Sequence, residues 1–312
     1  MFRIGTATLH TPEKRGFHAP GLNGPFGSAI ACGTLLGFST EQFVNALGIA
    51  GSLGSGLLAF SRASGGGMVK RLHMGRAGEG GVLAAQLAGG GFDGPNTVLD
   101  GKLGFLQAVC DESDPALLTA DLGRVWKIET LCLKQFACHI TAHAPVHLLC
   151  TLMQRHGFGG DDIAALRMGV SEKVLSHHTA STPADLMQAQ YSVPYCTAMG
   201  AYRDLLDPDT VAEDVLADPG IRRLAALIEI EPRRDGTTKG WGVDMTVMLR
   251  DGRVFDDAIE DFPGCPSMPF SLDRLSAKFR ALTKDAETEP LFDALTQVES
   301  IKDVRALWKL AD

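Results

Sequence analysis

Eleven residues, Leu133-Lys134-Gln135-Phe136-Ala137-Cys138-His139-Ile140-Thr141-Ala142-His143, set a lysine, two histidines and a hydroxyl into otherwise apolar sequence. Earlier in the chain, Met68-Val69-Lys70-Arg71-Leu72-His73-Met74-Gly75 repeats that chemistry. Cationic and imidazole groups among Leu, Met, Phe and Ala are costly to bury without an anionic partner. A small polycarboxylate is such a partner, with lysines to clamp it and histidines to move protons. Removing a proton next to a carboxylate needs a base, and cations must stabilise the aci-carboxylate that develops.

Two other chemistries are weaker. His139, His143 and His147 fall at i, i+4 and i+8, a metal stripe on a continuous helix. Pro145 opposes that helix, because proline fits only a first turn and disfavours helix at the residue before it. The seven cysteines are odd in number and scattered, with no Cys-x-x-Cys pair, and read as free thiols in a reducing compartment. No metal is expected. Ser64-Gly65-Gly66-Gly67 resembles a phosphate loop but lacks the Gly-Lys-Ser/Thr ending and a preceding strand.

The elements that must position these groups begin with helices. Residues 25–36 are apolar and small and stop at Gly37. Ser39 and Gln42 form a capping-box pattern ahead of Phe43, Leu47 and Ala50. Further helices are expected over 76–87 and 104–109. After about residue 130 the texture changes: 163–170 partly alternates, and Ile228 and Ile230 mark a short strand. Val243, Met245, Val247 and Leu249 share one face before Asp251-Gly252, a hairpin signature. A helical stretch lies at about 183–206, and helices resume from Ser271.

Bulk properties narrow the class. At 312 residues, two domains are expected. A net charge of −8 argues against nucleic acid, which needs a basic face. No apolar run is long enough to span a bilayer, and the first residues lack a signal-peptide core, so a cytoplasmic location is expected. The 36 glycines, dense between residues 16 and 104, predict tightly packed helices.

Several motifs occur together in order: Gly16-Phe17-His18, Gly24-Pro25-Phe26-Gly27, Ala46-Leu47-Gly48-Ile49-Ala50-Gly51-Ser52, Lys70-Arg71-Leu72-His73 and Gly91-Phe92-Asp93-Gly94-Pro95. Leu133-Lys134 to Thr141, Ser192-Val193-Pro194-Tyr195, Leu249-Arg250-Asp251-Gly252-Arg253 and Lys278-Phe279-Arg280 follow. Spread over most of the chain, they resemble the MmgE/PrpD family, which includes 2-methylcitrate dehydratase, cis-aconitate decarboxylase and iminodisuccinate epimerase. The resemblance implies a mainly α fold with an inserted α+β lid domain: helical over 1–130, lid over 131–270, and a helical return over 271–312. It implies active sites without metal or organic cofactor, and a lyase or isomerase acting on a di- or tricarboxylate.

Carried over by position, His18, His139 and Tyr195 are the expected catalytic residues, and Lys70, Lys134 and His73 the expected substrate-binding ones. Lys70, Lys134 and His139 are expected to converge, with His18 nearby. Tyr195 has a second reading as a core aromatic with a backbone-bonded hydroxyl. A homodimer built on the Gly- and Ala-rich helices is also expected. Family members usually carry a helical segment ahead of the point matching Met1. The alternative expectation is therefore a catalytically impaired fragment or subunit that keeps the fold and needs that segment.

Overall fold

A computed structural model describes residues 1–310 apart from 62, 64 and 284–287; Ser64 of the glycine loop lies outside the described residues. The chain forms two compact units, Met1–Thr130 and Leu131–Asp312. It is mainly α, with a small α+β part.

The first unit is helical: α1 (Phe2–Ala7), α2 (Thr11–Lys14), α3 (Ala19–Leu35), α4 (Thr40–Gly51), α5 (Val69–Gly89) and α6 (Phe105–Val109). Its core gathers Leu22, Phe26, Ala29, Ile49, Ala50, Ala84, Ala88, Phe105 and Leu106. Glycine sets how closely α3 and α5 approach. A Cβ at Gly81 would sit 2.5 Å from the Pro25 carbonyl oxygen and 2.6 Å from the Ala29 nitrogen. The α4 capping box forms as expected: Ser39 Oγ accepts the Gln42 N–H, and the Gln42 side chain accepts the Ser39 N–H.

Two helices start earlier than their sequence patterns predict. Helix α3 begins at Ala19 and carries Pro25 in its interior. Pro25 has no N–H for the Gly21 carbonyl. That oxygen accepts the Ser55 N–H instead, at 3.2 Å, so the proline costs no orphaned acceptor. Helix α5 begins at Val69, which brings Lys70 and His73 into its first turns at i, i+3 spacing on one face.

The second unit holds α7 (His143–His156), β1 (Ile163–Val170), α8 (Glu172–His177), α9 (Leu186–Tyr191), α10 (Val193–Gly200) and α11 (Pro219–Ala226). It continues with β2 (Ile228–Pro232), β3 (Val243–Leu249), β4 (Val254–Ile259), α12 (Leu272–Leu282) and α13 (Glu289–Thr296). The sheet order is β2-β1-β3-β4, with β1 parallel to β2 and antiparallel to β3, and β3–β4 the expected hairpin. Val243, Met245, Val247 and Leu249 are buried with Leu148, Leu149, Leu152, Leu166 and Met168 in this unit's own core. Pro145 occupies the first turn of α7, which starts at His143, so His139 stands outside that helix.

Candidate functional site

In the first unit, His18 is the residue before α3, with extended φ and ψ, and its N–H donates to the Gly56 carbonyl at 3.0 Å. The Leu58 N–H donates to Gly16 O at 2.7 Å, so segment 55–58 is laced to both His18 and the start of α3. A Cβ at Gly21 would lie 2.0 Å from Ser55 O and 3.5 Å from the His73 Cβ. Only a bare backbone there lets α3, this segment and α5 meet.

That meeting brings His18 and His73 together, Nδ1 to Nδ1 at 2.9 Å, with ring centroids 5.0 Å apart. Buried Phe60 stands edge-on to both rings, at 5.5 and 5.9 Å. The Lys70 ammonium lies 5.9 Å from the centre of the same Phe60 ring. Three of the expected residues therefore cluster. A neutral pair joined through Nδ1 has one ring donating and the other accepting. The donor ring's Nε2 is a bare base, and the acceptor ring's Nε2 carries a proton. The pair thus offers one general base and one general acid while its net charge is zero.

In the second unit, the Lys134 side chain bends over its own loop and its Nζ donates to Cys138 O at 2.9 Å. Lys278, on α12, donates its Nζ to the Lys134 carbonyl and lies 3.5 Å from Gln135 O. Burial, and then repulsion from Lys134, lowers the Lys278 pKa. Two ammonium groups over one turn make a cationic patch suited to a carboxylate. Beneath it, the neighbouring Cys196 thiol, then His143 and Lys134, lower the Cys138 thiol to about 6 against the opposing effect of burial. Burial pushes Cys196 the other way.

His139 caps a single 3-10 turn, 140–142, and its Nδ1 lies 2.8 Å from Thr141 Oγ1. Its ring stacks on His178 at 4.2 Å, and Tyr191 leans on both rings at 4.6 and 4.3 Å. Neither His178 nor Tyr191 is signalled by sequence spacing. Both reach His139 only through tertiary packing, and residues 177–185 have no apolar period to read.

Tyr195 takes its second reading. Its ring is 1% exposed in the core, and its hydroxyl donates to Val215 O at 2.9 Å. Burial raises its pKa, so it stays protonated. Ser192 caps α10 and points Tyr195 inward, while Tyr191, four residues earlier, is the tyrosine beside His139. Among the described residues, no three His, Cys, Asp or Glu side chains gather as a metal site, and no helix is long and apolar enough to cross a membrane.

Comparison with known proteins identifies the family to which both units are similar. Residues 2–118 match the MmgE/PrpD N-terminal domain and residues 136–300 the MmgE/PrpD C-terminal domain. A cis-aconitate decarboxylase of Aspergillus terreus is 26% identical over 334 residues, covering 99% of this chain and 67% of that protein. The mouse and human cis-aconitate decarboxylases are 25% and 26% identical over 309 residues, covering 94% of this chain. The chain spans 62% of the length of each mammalian protein.

Proposed function

The chain belongs to the MmgE/PrpD family, and from that premise we propose that it is a lyase or isomerase acting on a small di- or tricarboxylate. One ring of the His18–His73 pair removes a proton next to a substrate carboxylate. The electron pair moves into that carboxylate, and Lys70 stabilises the developing aci-carboxylate. The intermediate then expels a β-substituent or is reprotonated on carbon, and the partner ring's Nε2–H is an acid placed to assist. Within the second unit, we assign carboxylate binding to Lys134, with Lys278 beside it, and proton transfer to His139. The observation that carries this reading is the paired imidazoles, His18 to His73 at 2.9 Å, beside a lysine.

The test is turnover of cis-aconitate and 2-methylcitrate by the purified protein, followed by proton NMR in heavy water. Solvent deuterium should enter the carbon next to a carboxylate. His18→Asn should lower that rate roughly 10²–10⁴-fold, the worth of a general acid or base. Exchange that survives this substitution undiminished would reject the assignment.

The same reading includes a homodimer. In the first unit Leu35 is 88% and Leu103 93% exposed, apolar surface that a subunit contact would cover. Light scattering at micromolar concentration should give twice the chain mass, and a monodisperse monomer would count against it.

A further inference from the structure

His178 is 2% exposed, buried in the second unit. Its Nδ1 lies 3.0 Å from the Tyr191 carbonyl oxygen. A carbonyl only accepts, so the proton of His178 sits on Nδ1 and the ring is fixed to the chain by it. Val193 N–H donates to His178 O at 2.9 Å, and His139 N–H donates to Gln190 O at 2.7 Å. Main-chain bonds thus tie both histidines to the α9–α10 junction that carries Tyr191. On that frame the His178 and His139 rings lie nearly parallel, 27° apart, with centroids at 4.2 Å.

His139 is restrained from a second side. The Thr141 backbone N–H donates to His139 Nδ1 at 3.4 Å, and Thr141 Oγ1 lies 2.8 Å from the same atom. A backbone N–H can only donate, so Nδ1 presents its lone pair and the neutral ring carries its proton on Nε2. Stacking fixes the plane of the ring, and Thr141 fixes which nitrogen holds the proton.

We propose that His178 is a positioning residue for His139: the buried ring, with Thr141, holds His139 as the Nε2–H tautomer, a proton donor toward the carboxylate substrate. This rests on the function proposed above and gives His139 the part of an acid. A histidine suits the platform better than a phenyl ring because its Nδ1–H bond to Tyr191 O sets the ring plane.

The experiment is a long-range proton–nitrogen correlation on the full chain labelled with 15N-histidine, with turnover measured alongside. The expected wild-type spectrum shows His139 protonated on Nε2. His178→Ala should give averaged tautomers and a roughly ten- to hundredfold lower kcat at nearly constant KM, as expected for misorientation. His178→Asn, which keeps a donor for the Tyr191 carbonyl, should recover part of both. A wild-type His139 protonated on Nδ1 overturns the proposal without any variant. A His178→Ala protein with unchanged tautomer and turnover overturns it as well. If the tautomer changes as expected in a protein that turns over no carboxylate, the positioning role stands and the functional reading is the one that fails.

Discussion

His18 and His73 share a single hydrogen bond through their Nδ1 atoms, although 55 residues separate them in sequence. The bond couples the two rings: whichever ring donates across it leaves the other to accept. Replacing either ring should therefore damage both. His73→Phe keeps the aromatic contact with Phe60 but removes the Nδ1 partner of His18. Its turnover should fall roughly 10²-fold or more, with a KM change of no more than about threefold. The double variant His18→Asn/His73→Phe should be little worse than either single one, since groups that act as a unit are non-additive. Additive losses in steady-state kinetics would show two independent residues.

Tyr195 and Tyr191 are four residues apart, on either side of the α9–α10 junction, and invite opposite expectations. Tyr195→Phe leaves the buried Val215 carbonyl without its donor and should cost about 1–3 kcal/mol in urea unfolding. Its kcat should stay within about twofold of wild type. A large kcat loss at unchanged stability would put Tyr195 back among the reacting groups.

What the sequence shows depends on the range of the interaction. The Ser39–Gln42 cap and the Val243–Leu249 strand are local patterns, written within a few residues, and both form as read. The start of α3 is not local: Pro25 is tolerated only because Ser55 satisfies the Gly21 carbonyl. Helix α5 opens at Met68 with no side-chain cap, so nothing near Val69 announces it. The histidines and lysines were legible because charged and imidazole groups stand out in apolar sequence. Their partners were not, since Phe60, His178 and Tyr191 look like ordinary residues until folding brings them to His18 and His139.

Gly21 should prove intolerant for a reason that bears on the site. A methyl group there would meet Ser55 O at 2.0 Å, inside the contact that holds segment 55–58 against α3. Gly21→Ala should destabilise the protein by about 1–3 kcal/mol, as overpacking does. It should also lower turnover, because relief of the clash must part α3 from the segment that holds His18. Wild-type unfolding and kinetics in Gly21→Ala would contradict the packing described.

Cys138 makes stability depend on pH in a stated direction. The neighbouring Cys196 thiol, with His143 and Lys134, holds its thiol at about 6, below the ordinary 9.0. An acid with a depressed folded value contributes stability fully above its unfolded value, and loses it as pH falls through the folded one. The contribution is therefore complete above about pH 9 and gone below about pH 6. Cys196, shifted upward, contributes below pH 9 and loses its share above it. Calorimetry at pH 9 and pH 6 should show a smaller difference in Tm for Cys138→Ala than for wild type. Thiolate absorbance near 240 nm should lose its lowest-pH transition in the same variant. An unchanged titration would place Cys138 as an ordinary buried thiol.

Cys132 and Cys265 have their sulfurs 3.5 Å apart, flanking the bond that Leu133 N–H donates to the Gly264 carbonyl at 2.8 Å. Burial pushes the Cys265 thiol up to about 12, so the half-buried Cys132 is the entry point for an oxidant. The Cys132 thiol adds across the N=N bond of a diazene such as diamide, forming an S–N bond; Cys265 then attacks the Cys132 sulfur, the S–N bond breaks, and the hydrazine leaves carrying both thiol hydrogens. Mass spectrometry should show a loss of two hydrogens and one peptide pair joining Cys132 to Cys265, reversed by dithiothreitol. The link closes a loop of more than a hundred residues, which on the chain-entropy argument stabilises by about 4–5 kcal/mol. The oxidised protein should therefore melt at a higher temperature. It also pins the segment two residues before Lys134, so carboxylate affinity should change with oxidation in wild type and not in Cys132→Ser. Oxidation that leaves both cysteines free, or that joins either of them to another cysteine, would show that the sulfur contact does not persist in solution.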